Sequence, residues 1–363
     1  PAPSLLPLRP SRTALGPALA LLLALAAAPV TLSAQRREYY DQTYLPADHN
    51  WAFRRAHPTA DRIFNLFDYG HARLYELLLT RGERAAPALD AEVELITGEL
   101  LAAPPALPLE ESAIAPRFIR LAPEAQAMFD WAHKLHRHLY DVLADDRIPP
   151  DERDARVAEV LRYYKSRPDL AFSSTPKSMV LMEGQPYSLA LRRRSPAYVG
   201  LVWSYHWMQM ATYDAMLAAR SAAERRALVD TAVGRFRAMV AAPTRALPTV
   251  MPMTPAIAPR FAARYPEASV VFDNMHALHD VVGDILADPA IPRRAKRAAI
   301  LRAAAAYRDS TTSVTSLDEW RAHARAMGVA AMGGLAPGSS DRAAPASDTP
   351  EGHEHHPGLP PGG

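Results

Sequence analysis

The sequence contains no cysteine, which excludes disulfides, thiolate metal sites, iron–sulfur clusters and covalent haem attachment through a CxxCH motif. Any metal or cofactor must therefore be bound by other side chains. Neither sign of charge is in excess, since 41 Lys and Arg face 39 Asp and Glu, for a formal net charge of +2. Nucleic-acid binding draws much of its affinity from clustered basic residues, so we expect no nucleic-acid partner.

Runs of alternating β-branched residues are also scarce, so strands are at most minor and we expect an all-α fold. Apolar residues instead recur with helical spacing, in segments separated by prolines that helix interiors do not tolerate. The pattern predicts helices near residues 59–80, 87–102, 122–145, 151–166, 196–219, 222–241, 265–287, 292–308 and 316–328.

One uncharged segment near the N-terminus is long enough to cross a bilayer. It runs from Thr13 to Gln35 and follows Arg9 and Arg12. About 20 apolar residues span a hydrocarbon core, and a basic flank stays on the cytoplasmic side. We therefore predict a signal-anchor span at 14–34, with the rest of the chain on the periplasmic side of a bacterial inner membrane. A cleaved signal sequence is the alternative, because small residues such as Ser33 suit a cleavage site.

An internal duplication is the most specific feature of the sequence. The segment Ala115-Pro116-Arg117-Phe118 recurs as Ala258-Pro259-Arg260-Phe261, and the match continues without a gap, at a constant offset of 143, to Ile148-Pro149 and Ile291-Pro292. Upstream, Phe67 to Leu78 aligns more weakly with Tyr205 to Met216. A period of this length indicates domain-sized copies rather than a solenoid repeat.

The duplication predicts two helical-bundle units after the anchor. Their expected bounds are 1–35 for the cytoplasmic flank and anchor, 36–166 for the first unit, 167–195 for an irregular joint, 196–333 for the second unit and 334–363 for a tail rich in Pro, Gly and His. The composition of the tail predicts disorder unless a partner holds it.

Histidine and aspartate recur on the duplicated helices in a Phe-Asp-x-x-His motif. It is found in the three segments Phe67-Asp68 with His71, Phe129-Asp130 with His133, and Phe272-Asp273 with His276. The fourth equivalent helix departs from the motif and carries His206 and Gln209 at the Asp and His positions. His136 and His279 lie one turn after the second and third motifs.

The motif supports two interpretations. In the first, inward Asp and His side chains bind a divalent metal ion in each bundle, as carboxylate and imidazole do in other bundles. The candidate ligands are Asp68, His71, Asp130, His133, His136, Asp273, His276 and His279. In the second, favoured by the sequence because no Glu-x-x-His pair is present, these groups only form hydrogen bonds between helices. No catalytic residue and no other cofactor is predicted.

Three further segments are candidates for contacts. The tail cluster His353-Glu354-His355-His356 could bind a transition ion adventitiously. The aromatic and Met-rich run from Trp203 to Tyr213 is either a helix buried on several sides, which we favour, or an exposed docking patch. The cluster Arg192-Arg193-Arg194 and the joint 167–195 are candidate contact surfaces.

Part of the sequence resembles a family of exported proteins of Gemmatimonadota-like bacteria. The resemblance rests on Tyr39-Tyr40-Asp41-Gln42, Asn50-Trp51-Ala52-Phe53, the segment Phe67 to His71, and Met182 to Tyr187. This family is associated with the extra periplasmic subunit of the gemmatimonad photosynthetic reaction centre and light-harvesting complex. The resemblance implies a scaffold role beside a reaction centre, with neither catalytic residues nor a cofactor.

From these features we expect a non-catalytic accessory subunit that stabilises a larger membrane complex. Its expected partners are the membrane, through one span, and protein subunits of that complex. A metal-binding helical-bundle protein is the alternative.

Overall fold

The computed structural model describes residues 44–108, 111–242 and 245–339, and within these ranges the chain is helical and forms no strand. The first half contains α1 (Ala52–Ala56), α2 (Pro58–Arg81), α3 (Ala85–Glu94), α4 (Glu111–Ile114), α5 (Pro116–Leu121), α6 (Pro123–Ala144) and α7 (Arg153–Lys165). The second half contains α8 (Val180–Glu183), α9 (Ala190–Arg194), α10 (Pro196–Ala218), α11 (Ala222–Val240), α12 (Thr254–Ile257), α13 (Pro259–Arg264), α14 (Pro266–Ala287), α15 (Arg293–Arg308) and α16 (Leu317–Met327). The predicted all-α fold is confirmed.

Each of the predicted helices is present, and proline explains where several of them begin. Pro58, Pro123, Pro196 and Pro266 occupy the first turn of the four longest helices. At that position the missing N–H costs nothing, and the fixed φ is already helical. The helix predicted near 87–102 is α3 followed by a wider, π-type turn over Leu95–Leu100.

The duplication is visible in the helix boundaries. Helices α5 and α6 recur as α13 and α14 with both ends displaced by the same 143 residues, for example from Pro123 to Pro266. Upstream, the turn before each long helix is also repeated. Trp51 and Leu189 precede α1 and α9 with left-handed φ values of 68° and 64°.

An aspartate on the second long helix of each half stabilises that unusual turn. Asp141 accepts hydrogen bonds from the backbone N–H groups of Trp51 and Phe53, both at 2.8 Å. Asp284 accepts the same pair of bonds from Leu189 and Leu191, also at 2.8 Å. The second copy therefore begins with Leu189 and α9, inside the segment expected to be an irregular joint.

The two halves exchange equivalent hydrogen bonds and share one core. The Tyr75 hydroxyl of the first half donates to the carbonyl of His279 at 3.1 Å, and the Tyr213 hydroxyl of the second half donates to the carbonyl of His136 at 3.2 Å. Such a reciprocal exchange indicates an approximate two-fold relation between the halves. The described residues from Asp48 onward accordingly form one compact unit rather than two separate ones.

Helix α10 is enclosed by this core. Every residue from Tyr198 to Met216 is buried, so the aromatic and Met-rich run is the buried helix that the sequence favoured. At the end of the second half, the Trp207 indole and the Arg235 guanidinium donate hydrogen bonds to the carbonyls of Gly334 and Leu335. The start of the predicted tail is therefore fixed against the body, and the rest lies outside the described residues.

The predicted membrane span at 14–34 also lies outside the described residues. Among the helices that are described, none combines the length and the apolar character needed to cross a bilayer.

Candidate metal centre

Six histidines on the four longest helices meet in the shared core. We call this set the histidine cluster: His71 on α2, His133 and His136 on α6, His206 on α10, and His276 and His279 on α14. The imidazoles of His206 and His276 stack with their centroids 3.8 Å apart, and those of His71 and His279 are 4.4 Å apart. The histidines therefore form one cluster shared by both halves, not a separate site in each.

Three members of the cluster offer a converging set of nitrogens. One ring nitrogen from each of His71, His206 and His279 lies within 4.8 Å of the other two. The Nε2 atoms of His71 and His206 are 3.2 Å apart. Tetrahedral Zn²⁺ with Zn–N bonds of about 2.0–2.1 Å separates its ligand nitrogens by about 3.3 Å. The His71–His206 pair matches this separation, and the third nitrogen, on His279, lies within 4.8 Å of both.

The orientation of His71 is fixed by a hydrogen bond to its own helix. Its Nδ1 lies 2.9 Å from the carbonyl of Phe67, which can only accept, so Nδ1 carries the proton. The lone pair is then on Nε2, the atom that faces His206. Metal-binding histidines are commonly oriented in this way, with the second nitrogen donating to a backbone carbonyl or carboxylate.

Burial keeps the cluster uncharged. His206 and His276 are 0% exposed, and His71 and His279 are 3% exposed. Loss of solvation lowers the pKa of His71 to about 4 and that of His133 to about 3. The same cause lowers the pKa of His136, His206, His276 and His279 well below the ordinary value. Neutral imidazole is the form that binds a metal ion.

Several of these buried nitrogens have no hydrogen-bond partner. They are Nε2 of His136, Nδ1 of His206, both nitrogens of His276 and Nδ1 of His279. Leaving a buried polar atom unpaired costs about 1–3 kcal/mol, so native cores keep few of them. Five such nitrogens thus lie in this one cluster.

A carboxyl group borders the cluster on the side of the first half. Glu111 Oε1 lies 3.8 Å from His133 Nδ1, and the Gln126 amide donates to both Glu111 and Asp130. Burial, reinforced by Asp130 and Asp68, raises the pKa of Glu111 well above its usual range. A bound cation would favour the ionised form of this carboxyl and would be partly neutralised by it.

The structure separates the predicted ligands into two groups. His71, His133, His136, His276 and His279 all lie in the cluster. The three aspartates are held by other partners: Asp68 by Arg137 at 2.9 Å, Asp130 by Gln126 at 3.0 Å, and Asp273 by Thr254 at 2.6 Å and Trp320 at 2.9 Å. The tail cluster His353 to His356 lies outside the described residues.

Two residues at the cluster were not among the ligands predicted from the sequence. His206 was noted only as the residue that breaks the fourth motif, yet it belongs to the triad and stacks on His276. Its position, equivalent to Asp68, was the available signal, because a histidine replacing an aspartate on an inward face keeps a ligand there. Glu111 gave no comparable signal in the sequence.

No protein-family model, curated protein or solved structure matches this chain.

Proposed function

We propose that the protein binds a divalent transition-metal ion through His71, His206 and His279. The observation that carries this proposal is the convergence of three buried imidazole nitrogens, contributed by α2, α10 and α14, within 4.8 Å of one another. Hydrogen bonding alone accounts for these groups poorly, because it leaves nitrogens of His206 and His279 unpaired.

The type of ligand limits which metal ions can bind. Three neutral imidazoles suit Zn²⁺, Cu²⁺, Ni²⁺ or Fe²⁺, whereas Mg²⁺ and Ca²⁺ prefer oxygen ligands. Three protein ligands leave at least one coordination position for water or another molecule, an arrangement typical of catalytic rather than structural zinc sites. The position next to the triad is bordered by His133, whose ring centroid lies 5.6 Å from that of His279.

Metal analysis of the full-length protein tests the proposal. The histidines of the tail, His353, His355 and His356, should first be replaced by serine so that they cannot contribute ions. After dialysis against limiting zinc, we expect bound zinc in the parent and a loss of affinity of at least about 10–100-fold in His71→Phe or His279→Phe.

The matched control is His323→Phe, which removes an exposed histidine of α16 outside the cluster. It should bind zinc as tightly as the parent. The proposal would be refuted if the parent retained no transition metal, or if His323→Phe and His71→Phe reduced zinc binding equally.

The role as a scaffold of a membrane complex, the single span, the inner-membrane location and the absence of catalysis stay predictions. The arginine cluster from which contacts were expected is engaged within the chain: Arg192 lies 4.9 Å from the Trp203 ring, and Arg194 donates to the carbonyl of Gly82 at 3.1 Å. Arg193 is nevertheless exposed, so this cluster stays a candidate contact surface. Isolation of the native protein from membranes, with its partners identified, tests that role directly.

A further inference from the structure

The histidine cluster contains more ligand atoms than one ion uses. After the triad has been assigned, His136 Nε2 and both nitrogens of His276 remain buried without partners. The Oε1 atom of Gln209, on α10 one turn beyond His206, is also buried and unpaired. Gln209 and His276 lie on the triad helices α10 and α14, and His136 lies on α6, the fourth helix of the histidine cluster.

The approximate two-fold relation explains why these atoms are found together. His136 is the copy of His279 at an offset of 143, and Gln209 is the copy of His71 in the upstream alignment. The reciprocal bonds of Tyr75 and Tyr213 to the His279 and His136 carbonyls show that these positions are exchanged between the halves. Two of the three triad positions therefore have polar counterparts on the other side of the axis.

The third triad residue, His206, has no histidine as its counterpart. His206 corresponds to Asp68, which is bound to Arg137 at 2.9 Å. His276 is available instead, because its ring lies 5.8 Å from that of His136 and neither of its nitrogens is paired. Within the triad the ring separations range from 4.4 to 5.9 Å, so the His136–His276 spacing falls within the same range.

Tyr140 connects the backbone of Gln209 to the helix that carries His136. The Tyr140 hydroxyl, one turn after His136 on α6, donates to the Gln209 carbonyl at 3.0 Å, and the rings of Tyr140 and His136 stack at 5.8 Å. A side-chain amide oxygen is a weaker metal ligand than imidazole. His136, His276 and Gln209 therefore offer a weaker set of ligands than the triad, with two imidazoles and one amide oxygen.

We infer that a second divalent transition-metal ion binds at His136, His276 and Gln209, more weakly than the first, so that the core holds a two-metal centre. This inference goes beyond the proposed function. The second ion would take His136 Nε2, one nitrogen of His276 and Gln209 Oε1 as ligands, and each half of the duplicated chain would contribute ligands to both positions.

A zinc titration of the full-length protein, in the background without tail histidines, tests the inference. Calorimetry and metal analysis should give two zinc ions per chain of unequal affinity. His136→Phe should abolish the weaker one and leave the tighter one, which His71→Phe removes. Gln209→His, which restores the residue found at the equivalent position of the first half, should tighten the weaker site by about 10-fold or more.

The tightening by Gln209→His is decisive because misfolding cannot produce it. A parent that binds one zinc ion, with an affinity unchanged by His136→Phe and by Gln209→His, would overturn the second site and leave the first intact. A parent that binds no zinc would overturn both. Gln209→Leu is the control for size at that position, and it should weaken only the second ion.

Discussion

Replacing His276 by phenylalanine should stabilise the metal-free protein. The side chain is fully buried, neither ring nitrogen has a hydrogen-bond partner, and the ring stacks on His206 at 3.8 Å with 12° between the planes. Phenylalanine preserves the flat ring and the stacking while removing two unpaired polar atoms. Buried polar groups without partners are tolerated mainly where function requires them.

The magnitude follows from two opposing effects. Each unpaired nitrogen costs about 1–3 kcal/mol, so removing both gains about 2–6 kcal/mol. The larger ring overpacks the site at a cost of about 1–3 kcal/mol. We therefore expect the free energy of unfolding to rise by about 1–3 kcal/mol, measured by urea denaturation in the presence of EDTA.

Zinc should cancel or reverse this difference in stability between the variant and the parent. Zinc at 100 times its dissociation constant stabilises a protein by about 2.7 kcal/mol per site, and His276→Phe forgoes this gain at the second site. His57→Phe is the matched control, because His57 is buried outside the cluster and both of its nitrogens are also unpaired. It should stabilise the metal-free and the zinc-loaded protein alike. A His276→Phe variant that is less stable than the parent without metal would refute the reasoning.

Three further substitutions test separate parts of the structure. Because burial lowers the pKa of His133 from 6.5 to about 3, its neutral state stabilises the fold above pH 6.5, and this contribution is lost as the pH falls. Urea titrations should show that the metal-free parent loses about 2–3 kcal/mol more stability than His133→Gln between pH 7 and pH 4.5. Equal losses would contradict the lowered pKa. Gly70→Ala should destabilise the fold by about 1–3 kcal/mol, because a Cβ at residue 70 would lie 2.8 Å from the ring of the buried Tyr205. Displacement of that ring should also weaken zinc binding at His206, the next residue along the chain. Unchanged stability and zinc affinity in calorimetry would show that the Tyr205 ring moves freely. Asp284→Asn should lower the free energy of unfolding by about 1.5–3 kcal/mol, because the amide NH₂ would face one of the two backbone N–H groups that Asp284 now accepts from. An unaltered melting temperature would argue against the importance of the turn at Leu189.

Much of the helical architecture could be predicted from the sequence because helix boundaries depend on local signals. Proline at the first turn and apolar residues at helical spacing gave the long helices α2, α6, α10 and α14. The start of the second copy was missed although a signal exists. Ala52-x-Arg54-Arg55-x-x-Pro58 recurs as Ala190-x-Arg192-Arg193-x-x-Pro196, but its offset of 138 differs from the 143 of the later match.

The histidine cluster was predicted only in part, for reasons of geometry. Spacing along one helix shows which side chains share a face, but it does not show which faces meet. The alignment suggested two similar bundles, each with its own Asp and His residues. Because the halves instead share a core, His71 of the first half meets His206 and His279 of the second, and the aspartates bind neighbours such as Arg137.

The sharing of ligands between the halves has a consequence for the order of synthesis. His71 is made before its partners in the triad, which are residues 206 and 279, so a nascent chain has no complete ligand set until residue 279 has been made. Before α14 docks, the imidazoles of the first half lack the burial that this helix provides. Capture of the proposed ion would then be a late event of folding, and the ion acquired would depend on the metals present where folding finishes.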